Sequence, residues 1–237
     1  MLNLHVPAWF GTIARHEKNA LTVAILDKDW ERTQIECIEH PAMARAWCHD
    51  SVDGTHESRA LPIHLAVASK EPSLESIGAL VQAYPDSLVC KESSGLRTPL
   101  HLACLSQNSD SEIVQFLLQY NPDAALIVDR IERLPIHYAC ANNRVVSGID
   151  ALLDRFPETS QRRDGQGWLP LHIACHYGAP LHTIQRLVAM HPEAVVALTP
   201  LDRQTPRALL RLNDDMDSKE KEGILKLVTV GGILPEV

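Results

Sequence analysis

The chain of 237 residues is poor in aromatic side chains and has no apolar run of about twenty residues, which a membrane span would need. Only 5% of its residues are aromatic, and its 22 Lys and Arg are outnumbered by 30 Asp and Glu, giving a net charge of -8. An acidic chain is a poor general binder of nucleic acid. No signal-peptide pattern opens the sequence. We therefore expect no nucleic-acid partner, no membrane insertion, and a cytoplasmic or nuclear location.

The sequence also lacks the short motifs of common catalytic sites. It has no Gly-x-Ser-x-Gly elbow, no phosphate-binding Gly-Lys-Ser/Thr loop, no Gly-x-Gly-x-x-Gly and no His-Glu-x-x-His. Its six cysteines form no Cys-x-x-Cys pair. Without a secretory signal they are expected to be reduced thiols. These absences predict a protein that is not an enzyme and that uses no cofactor.

What the sequence does contain is a six-residue phrase that recurs at nearly constant spacing. Its four copies begin at Leu61, Thr98, Leu134 and Leu169, and each reads Leu/Thr-Pro-Leu/Ile-His-x-Ala. The prolines lie at steps of 37, 36 and 35 residues. A fixed period of this size indicates stacked supersecondary units rather than a single compact core. Such solenoids usually act by presenting an extended surface.

A second proline keeps the same period and confirms the register. It follows Tyr84, Asn121, Phe156 and His191, and an acid comes directly after it. Proline is well tolerated in the first turn of a helix, so a short helix is predicted from each phrase. Apolar residues at helical spacing then predict a second helix that ends at the second proline. A polar stretch rich in turn-forming residues follows.

Thr-Pro-Leu-His-x-Ala followed by a helix pair and a turn resembles the ankyrin repeat, and Thr98 to Ala103 match the motif at every fixed position. The variant with Cys after the phrase Ala is similar to ankyrin arrays of some unicellular algae and protists. This resemblance implies an all-α solenoid of about six units with degenerate end caps. The expected units lie near residues 17–60, 61–97, 98–133, 134–168, 169–204 and 205–230. Residues 1–16 are expected to form an N-terminal extension and residues 231–237 a C-terminal tail.

Three copies carry His-x-x-Cys, at His101 and Cys104, His137 and Cys140, and His172 and Cys175. His and Cys are good zinc ligands, and residues three apart share a helix face. However, each pair belongs to a different unit, and packed helices lie about ten ångströms apart, too far for two pairs to share one ion. The alternative is structural, because in ankyrin proteins this His bonds near the helix start and ties units together. We therefore expect buried, reduced cysteines and no metal, with a metal site or enzyme as the less favoured alternative.

The resemblance also implies where a partner would bind. In ankyrin arrays the turn tips and first helices form a concave surface, and aromatic and Arg residues dominate binding hot spots. Mapping those positions onto this chain predicts a protein-binding site at Arg97, Arg130, Arg133, Trp168, His176 and Tyr177. The opposing hypothesis is that the arginines pair with Glu132, Asp164 and Asp202, and that Trp168 packs on its own turn.

The predicted function is protein–protein recognition by an adaptor or scaffold with no chemistry of its own. The partner is expected to be a protein, with an acidic or extended segment as the favoured ligand. A structural subunit of a larger complex is the alternative. Such a subunit should expose further apolar surface, for example around Trp9, Phe10 and the loop 42–60.

Overall fold

The computed structural model describes residues 19–52, 56–106, 111–142, 146–213 and 216–229. Within these ranges the chain forms an all-α array of six helix pairs, as the repeat predicts. The pairs are α1 (Ala20–Asp27) with α2 (Trp30–Glu39), α3 (Pro62–Val67) with α4 (Leu74–Ala83), α5 (Pro99–Leu105) with α6 (Ser111–Tyr120), α7 (Pro135–Ala141) with α8 (Val146–Arg155), α9 (Pro170–Tyr177) with α10 (Leu181–Met190), and α11 (Pro206–Leu212) with α12 (Ser218–Leu227). The expected N-terminal extension and C-terminal tail lie outside the described residues.

Consecutive pairs pack in register, first helix on first helix throughout, and second helix on second helix everywhere except between α4 and α6, which lie further apart. One continuous apolar core runs from Leu21 in α1 to Val228 just after α12. The first helices of the four inner units are short and largely buried, those of the two end units are less so, and the second helices are amphipathic. The array therefore has one surface formed by turn tips and first helices and another formed by second helices.

Each full copy of the phrase starts its helix in the same way. The residue before Pro is extended and Pro takes the first helical position, where no amide hydrogen bond is lost. The phrase His then accepts the amide proton of the residue before Pro on Nδ1, at 3.1 Å from Leu61 N to His64, for example. The same contact recurs at 3.2, 3.1 and 3.1 Å for the other three copies, His101, His137 and His172.

The other ring nitrogen of each phrase His reaches the chain that leads out of the helix pair. Nε2 lies 3.0 Å from the Cys90 carbonyl for His64 and 3.0 Å from the Arg133 carbonyl for His101. The remaining two copies bond the carbonyls of Arg162 and Ala197, at 3.1 and 3.0 Å. Because Nδ1 accepts a hydrogen bond, it carries no proton and Nε2 must carry the single ring proton, so each imidazole is neutral and both nitrogens are hydrogen-bonded.

Burial of the four imidazoles also favours their neutral form. All four imidazoles are fully buried, and desolvation lowers the pKa of each to about 4. The prediction that these histidines are structural agrees with this geometry.

The segment after each second helix differs from the expected loop. The second proline starts a five-residue 3-10 turn in every unit that has one, at Pro41–Arg45, Pro85–Val89, Pro122–Leu126, Pro157–Gln161 and Pro192–Val196. Proline suits this position because its fixed φ matches the first residue of a helical turn. Pattern reasoning missed the turn because five residues are too few for a periodic signal.

The enlarged loop 42–60 also contains regular structure. Strands β1 (Cys48–Val52) and β2 (His56–Ala60) pair antiparallel, with Cys48 opposite Ala60. The first unit departs from the phrase as well, since Thr22 stands where the other copies have His. The Asn19 side chain caps α1 by accepting the Thr22 amide proton at 2.8 Å.

The cysteines after the phrase Ala occupy the core. Cys104, Cys140 and Cys175 are fully buried and are not in disulfides. Burial raises the pKa of all three thiols, that of Cys175 to about 12. They pack as small hydrophobic side chains, in agreement with the structural interpretation of the His-x-x-Cys pattern.

Replacing His101 with Ala should destabilise the array. The change removes the bonds of a buried imidazole to the Thr98 amide and hydroxyl and to the Arg133 carbonyl, so we expect a loss of about 1–3 kcal/mol in the free energy of unfolding. Urea denaturation measures it. His182→Ala is the control, because His182 is exposed and its loss should matter little. Equal stability of the two variants would contradict the structural role of His101.

Acid should also destabilise the protein through these four histidines. Their pKa is about 4 in the folded chain and about 6.5 in the unfolded chain. Between these values the unfolded state binds more protons, so stability falls as the pH is lowered from about 6.5 to about 4. Each histidine contributes up to about 1.4 kcal/mol per pH unit. Urea midpoints measured from pH 7.5 to 4.5 test this, and four imidazoles titrating near pH 6.5 in the NMR spectrum of native protein would contradict it.

Candidate protein-binding surface

A buried polar side chain organises the turn tip that precedes each phrase from Thr98 onward. The residues are Glu92, Asp129, Asp164 and Thr199, all of them buried. The Asp164 carboxylate accepts the amide protons of Gln166 and Trp168 at 3.0 and 2.8 Å, and Asp129 accepts two equivalent protons in its own turn. Sequence reasoning missed this role. The available signal was an acid recurring at steps of 37 and 35 residues, at Glu92, Asp129 and Asp164.

The tips also share a left-handed residue close to their end. Leu96, Glu132 and Arg203 have φ of 57°, 60° and 47°, and Gly167 has φ of 79°. At Gly167 a side chain has no room, because an added Cβ would lie 2.3 Å from Cγ of Pro200 in the next tip. Glycine here lets the Trp168 turn stack closely on its neighbour.

Backbone bonds join neighbouring tips into one surface. The Arg130 amide donates to the Gly95 carbonyl at 2.8 Å, and the Gly165 amide donates to the Ile131 carbonyl at 2.8 Å. These two bonds hold three successive turn tips in one rigid row. We call this row, together with the C-terminal ends of α5, α7 and α9, the tip face.

Three of the predicted site residues form an aromatic cluster on the tip face. The His176 ring lies edge-on to the rings of Trp168 and Tyr177, with centroids 5.4 and 4.9 Å away. Trp168 and Tyr177 are half-buried and His176 is exposed. Shielding by these neighbours lowers the pKa of His176 below its usual value. The structure thus brings these three residues together, and Asp164 fixes the turn that carries Trp168.

Arg133 does not lie on the surface, and its predicted role as an exposed charge is wrong. Its side chain is 1% exposed and its Nε lies 3.0 Å from Oδ2 of Asp164. The guanidinium also covers the Tyr138 ring at 5.7 Å from the centroid. The pairing with Asp164 was the opposing hypothesis for this arginine. Within the described residues its two terminal nitrogens have no hydrogen-bond acceptor, so the ion pair and the ring are its main partners.

The other two predicted arginines lie one tip further back. Arg97 is half-buried, with Nε 3.3 Å from the buried Glu92 carboxylate. Arg130 is exposed, and its Nη2 donates to the Ser93 carbonyl at 2.6 Å. Of the three arginines, Arg130 is therefore the one that presents its side chain to solvent. Arg162, Arg163 and Arg203 are likewise exposed, and Arg163 donates to the Gly167 carbonyl of its own tip.

The phrase histidines are poorly placed to bind a metal ion. Both nitrogens of every phrase His are hydrogen-bonded, as described above, so no lone pair is available for an ion. Among the residues the structure describes, no group of three or more His, Cys, Asp or Glu is placed to hold a metal. None of the described helices is long and apolar enough to cross a bilayer.

The chain is thus a helical repeat array. Its stacked tips and aromatic cluster form an extended surface. A family model described as ankyrin repeats (3 copies) matches residues 63–157 and residues 100–196, which together span more than half of the chain. The chain belongs to the ankyrin-repeat family. No curated protein matches it. Ankyrin repeats are protein–protein interaction modules and are typically not catalytic.

Removing the Arg133 side chain should destabilise the tip rather than alter its surface charge, because this side chain is buried. Arg133→Ala leaves the buried Asp164 carboxylate without its cation, and breaking a buried pair typically costs about 3–5 kcal/mol. We expect about 3 kcal/mol, because Asp164 keeps two backbone donors. Urea denaturation measures the loss. The control is Arg130→Ala, an exposed arginine on the adjacent part of the same turn, which should change stability by less than about 0.5 kcal/mol. If the two variants unfold at the same urea concentration, the pair does not hold the tip.

Proposed function

We propose that this chain is a non-catalytic adaptor or scaffold that binds a partner protein through the tip face, around Trp168, His176 and Tyr177. The observation that carries the proposal is the half-exposed aromatic cluster on a rigid surface. Aromatic side chains contribute much of the binding energy at protein interfaces. The buried Asp164–Arg133 pair below it holds the Trp168 turn before any partner arrives, which reduces the ordering cost of binding.

The charges of the tip face support an acidic or extended segment as the ligand. Arg130, Arg162, Arg163 and Arg203 are exposed in or next to the turn tips and outnumber the exposed tip acids Glu132 and Asp202, in a chain whose net charge is -8. Exposed charges act mainly on association rate and salt dependence. Arg130 takes over the steering role that was predicted for Arg133, and Arg97 contributes less because Glu92 neutralises it.

The proposed organisation follows the repeat boundaries near 17–60, 61–97, 98–133, 134–168, 169–204 and 205–230, with the first and last units acting as caps. In the first cap Thr22 takes the place of the phrase His, and in the last cap Ala208 does. Caps need fewer ties because only one side of each is stacked on another unit. The tip face would then span the complete inner units.

A structural subunit of a larger complex is the second candidate, and exposed Trp47 favours it, since this side chain is 40% exposed. Trp9 and Phe10, which were expected to serve the same role, lie outside the described residues. Sedimentation separates the candidates: an adaptor should be a stable monomer when free.

Trp168→Ala should weaken partner binding without unfolding the array. Truncating an aromatic anchor costs about 2 kcal/mol or more, which is about thirty-fold in Kd. Tagged parent and variant proteins are compared by affinity capture with quantitative mass spectrometry, and the captured partner is then titrated against each. Trp47→Ala is the matched control, because it removes an equally large side chain that precedes the β1–β2 hairpin and has no part in the aromatic cluster.

The result expected is loss of one or more specific partners with Trp168→Ala and retention with Trp47→Ala, while both variants keep the parent's helical circular dichroism. Arg130→Ala should also flatten the salt dependence of the association rate. Parent-like binding by Trp168→Ala together with loss in Trp47→Ala would move the site to the hairpin region.

A further inference from the structure

A groove on the opposite side of the array has no part in the proposed function. It measures about 590 Å³ and lies across α2, α4 and α6, the second helices of the first three units. Its floor on α4 is made of small residues, Gly78, Ala79 and Ala83. Its walls are Ile38 on α2 and the pair Phe116 and Tyr120 on α6, whose ring centroids are 4.6 Å apart.

Large apolar side chains at this groove face solvent. Ile38 is 78% exposed and Tyr120 is 51% exposed. A second groove of about 340 Å³ continues from the first, since both are lined by Gln82 and Tyr120. Exposed Val89 borders this continuation. Contiguous apolar surface of this kind on a folded domain marks an interaction site more often than scattered single residues do.

The charge at the groove is of one sign. Among the lining residues Glu75 is the one acid, and neither Lys nor Arg lines the groove. Cys37 also lines it, but burial raises the pKa of its thiol to about 11, so it is neutral. The Glu75 amide and the Ser73 hydroxyl bond the Glu75 carboxylate and lower its pKa, which keeps it ionised.

Two further acids extend the negative charge at the same end. Glu31 and Glu112 stand in the first turns of α2 and α6, at the position that Glu75 has in α4. Because the three helices are equivalent elements of successive units, the three carboxylates lie at the same end of their helices; Glu75 lines the groove itself, and Arg32, beside Glu31, is paired with Glu36. Acids there also stabilise their own helices. For a ligand they place most of the negative charge at one end of the groove, whereas Asp86 is the one acid among the lining residues of the continuation at the other end.

We propose that this groove binds an amphipathic helix of a partner protein, with its apolar stripe on Gly78, Ala79 and Ala83 and its Lys or Arg residues at the rim of Glu31, Glu75 and Glu112. Small floor residues allow a helix to approach closely, and apolar side chains at helical spacing then fill the space between Ile38 and Phe116. The ten residues of α4 correspond to about 15 Å of helix. A ligand of about three turns therefore matches the groove, and complementary charge fixes which end meets the rim.

The test uses a synthetic fourteen-residue helical peptide with a Leu stripe and two Lys residues in its last turn, labelled with a fluorophore and titrated with the full chain. Gly78→Leu should fill the groove and weaken binding at least tenfold in fluorescence anisotropy. The variant should fold, because the new Cβ would lie 3.5 Å from the Phe116 ring, an ordinary contact, and Leu favours a helix more than Gly does.

Gln185→Leu is the matched control. Gln185 is the exposed equivalent of Gly78 in α10, so it gains the same apolar side chain outside the groove and should leave binding unchanged. The charge component is tested separately. Glu75→Gln should weaken binding a few-fold and reduce its salt dependence, and a peptide with Glu in place of Lys should bind more weakly than the Lys peptide.

Three results would overturn the proposal. The first is equal binding by the Gly78→Leu and Gln185→Leu proteins. The second is a parent protein that self-associates in sedimentation until Gly78→Leu makes it monomeric, which assigns the groove to a second copy of the chain. The third is a peptide that binds only after Trp9→Ala, which assigns the groove to the chain's own start. A Trp168→Ala protein should bind this peptide normally, so failure here is distinct from failure of the tip-face proposal.

Discussion

The buried phrase histidine ties each helix pair together, and the rest of the array depends on it. Its Nδ1 closes the start of the first helix, and its Nε2 holds the chain that leaves the second helix. A single neutral ring therefore fixes two segments that lie 25 to 32 residues apart. Because local helices of six to eight residues are not stable alone, this cross-link and the apolar stack must form together. Alanine or Thr in its place occurs in the two terminal units, which stack on one side alone.

In the turn tips, as at the helix starts, a buried side chain satisfies backbone hydrogen-bonding groups. A backbone turn between helices exposes amide protons that neither helix can accept, and a buried carboxylate accepts them in the turns of Glu92, Asp129 and Asp164. Such a buried charge is costly unless it is paired or fully bonded. In the fourth unit Arg133 supplies the countercharge from the preceding tip. The tip face is therefore held rigidly at its base, which lowers the ordering cost of binding at a recognition surface.

The two sides of the array differ in chemistry, and this separates their roles. Exposed arginines and an aromatic cluster mark the tip face, whereas the second-helix groove is apolar with an acidic rim. Under the two proposals made above, one chain would engage an acidic segment on one side and a basic amphipathic helix on the other. Because repeats contact only their neighbours, binding on the second helices of units one to three need not disturb tips of units four and five.

The sequence by itself determined the period, the helix starts, the family resemblance and the structural role of the phrase His, because these depend on proline geometry and on a pattern repeated within one chain. It also placed Trp168, His176 and Tyr177 together, since Trp168 directly precedes the phrase that starts α9 and the other two lie at the end of that helix. The 3-10 turns, the strand pair after the first unit and the burial of Arg133 came only from the tertiary structure. Arg133 shows the reason: its exposure is decided by Asp164, which lies in the next unit and is brought beside it by stacking. Charge and position along the chain cannot tell whether a neighbouring unit covers a side chain, and only the packed array does so.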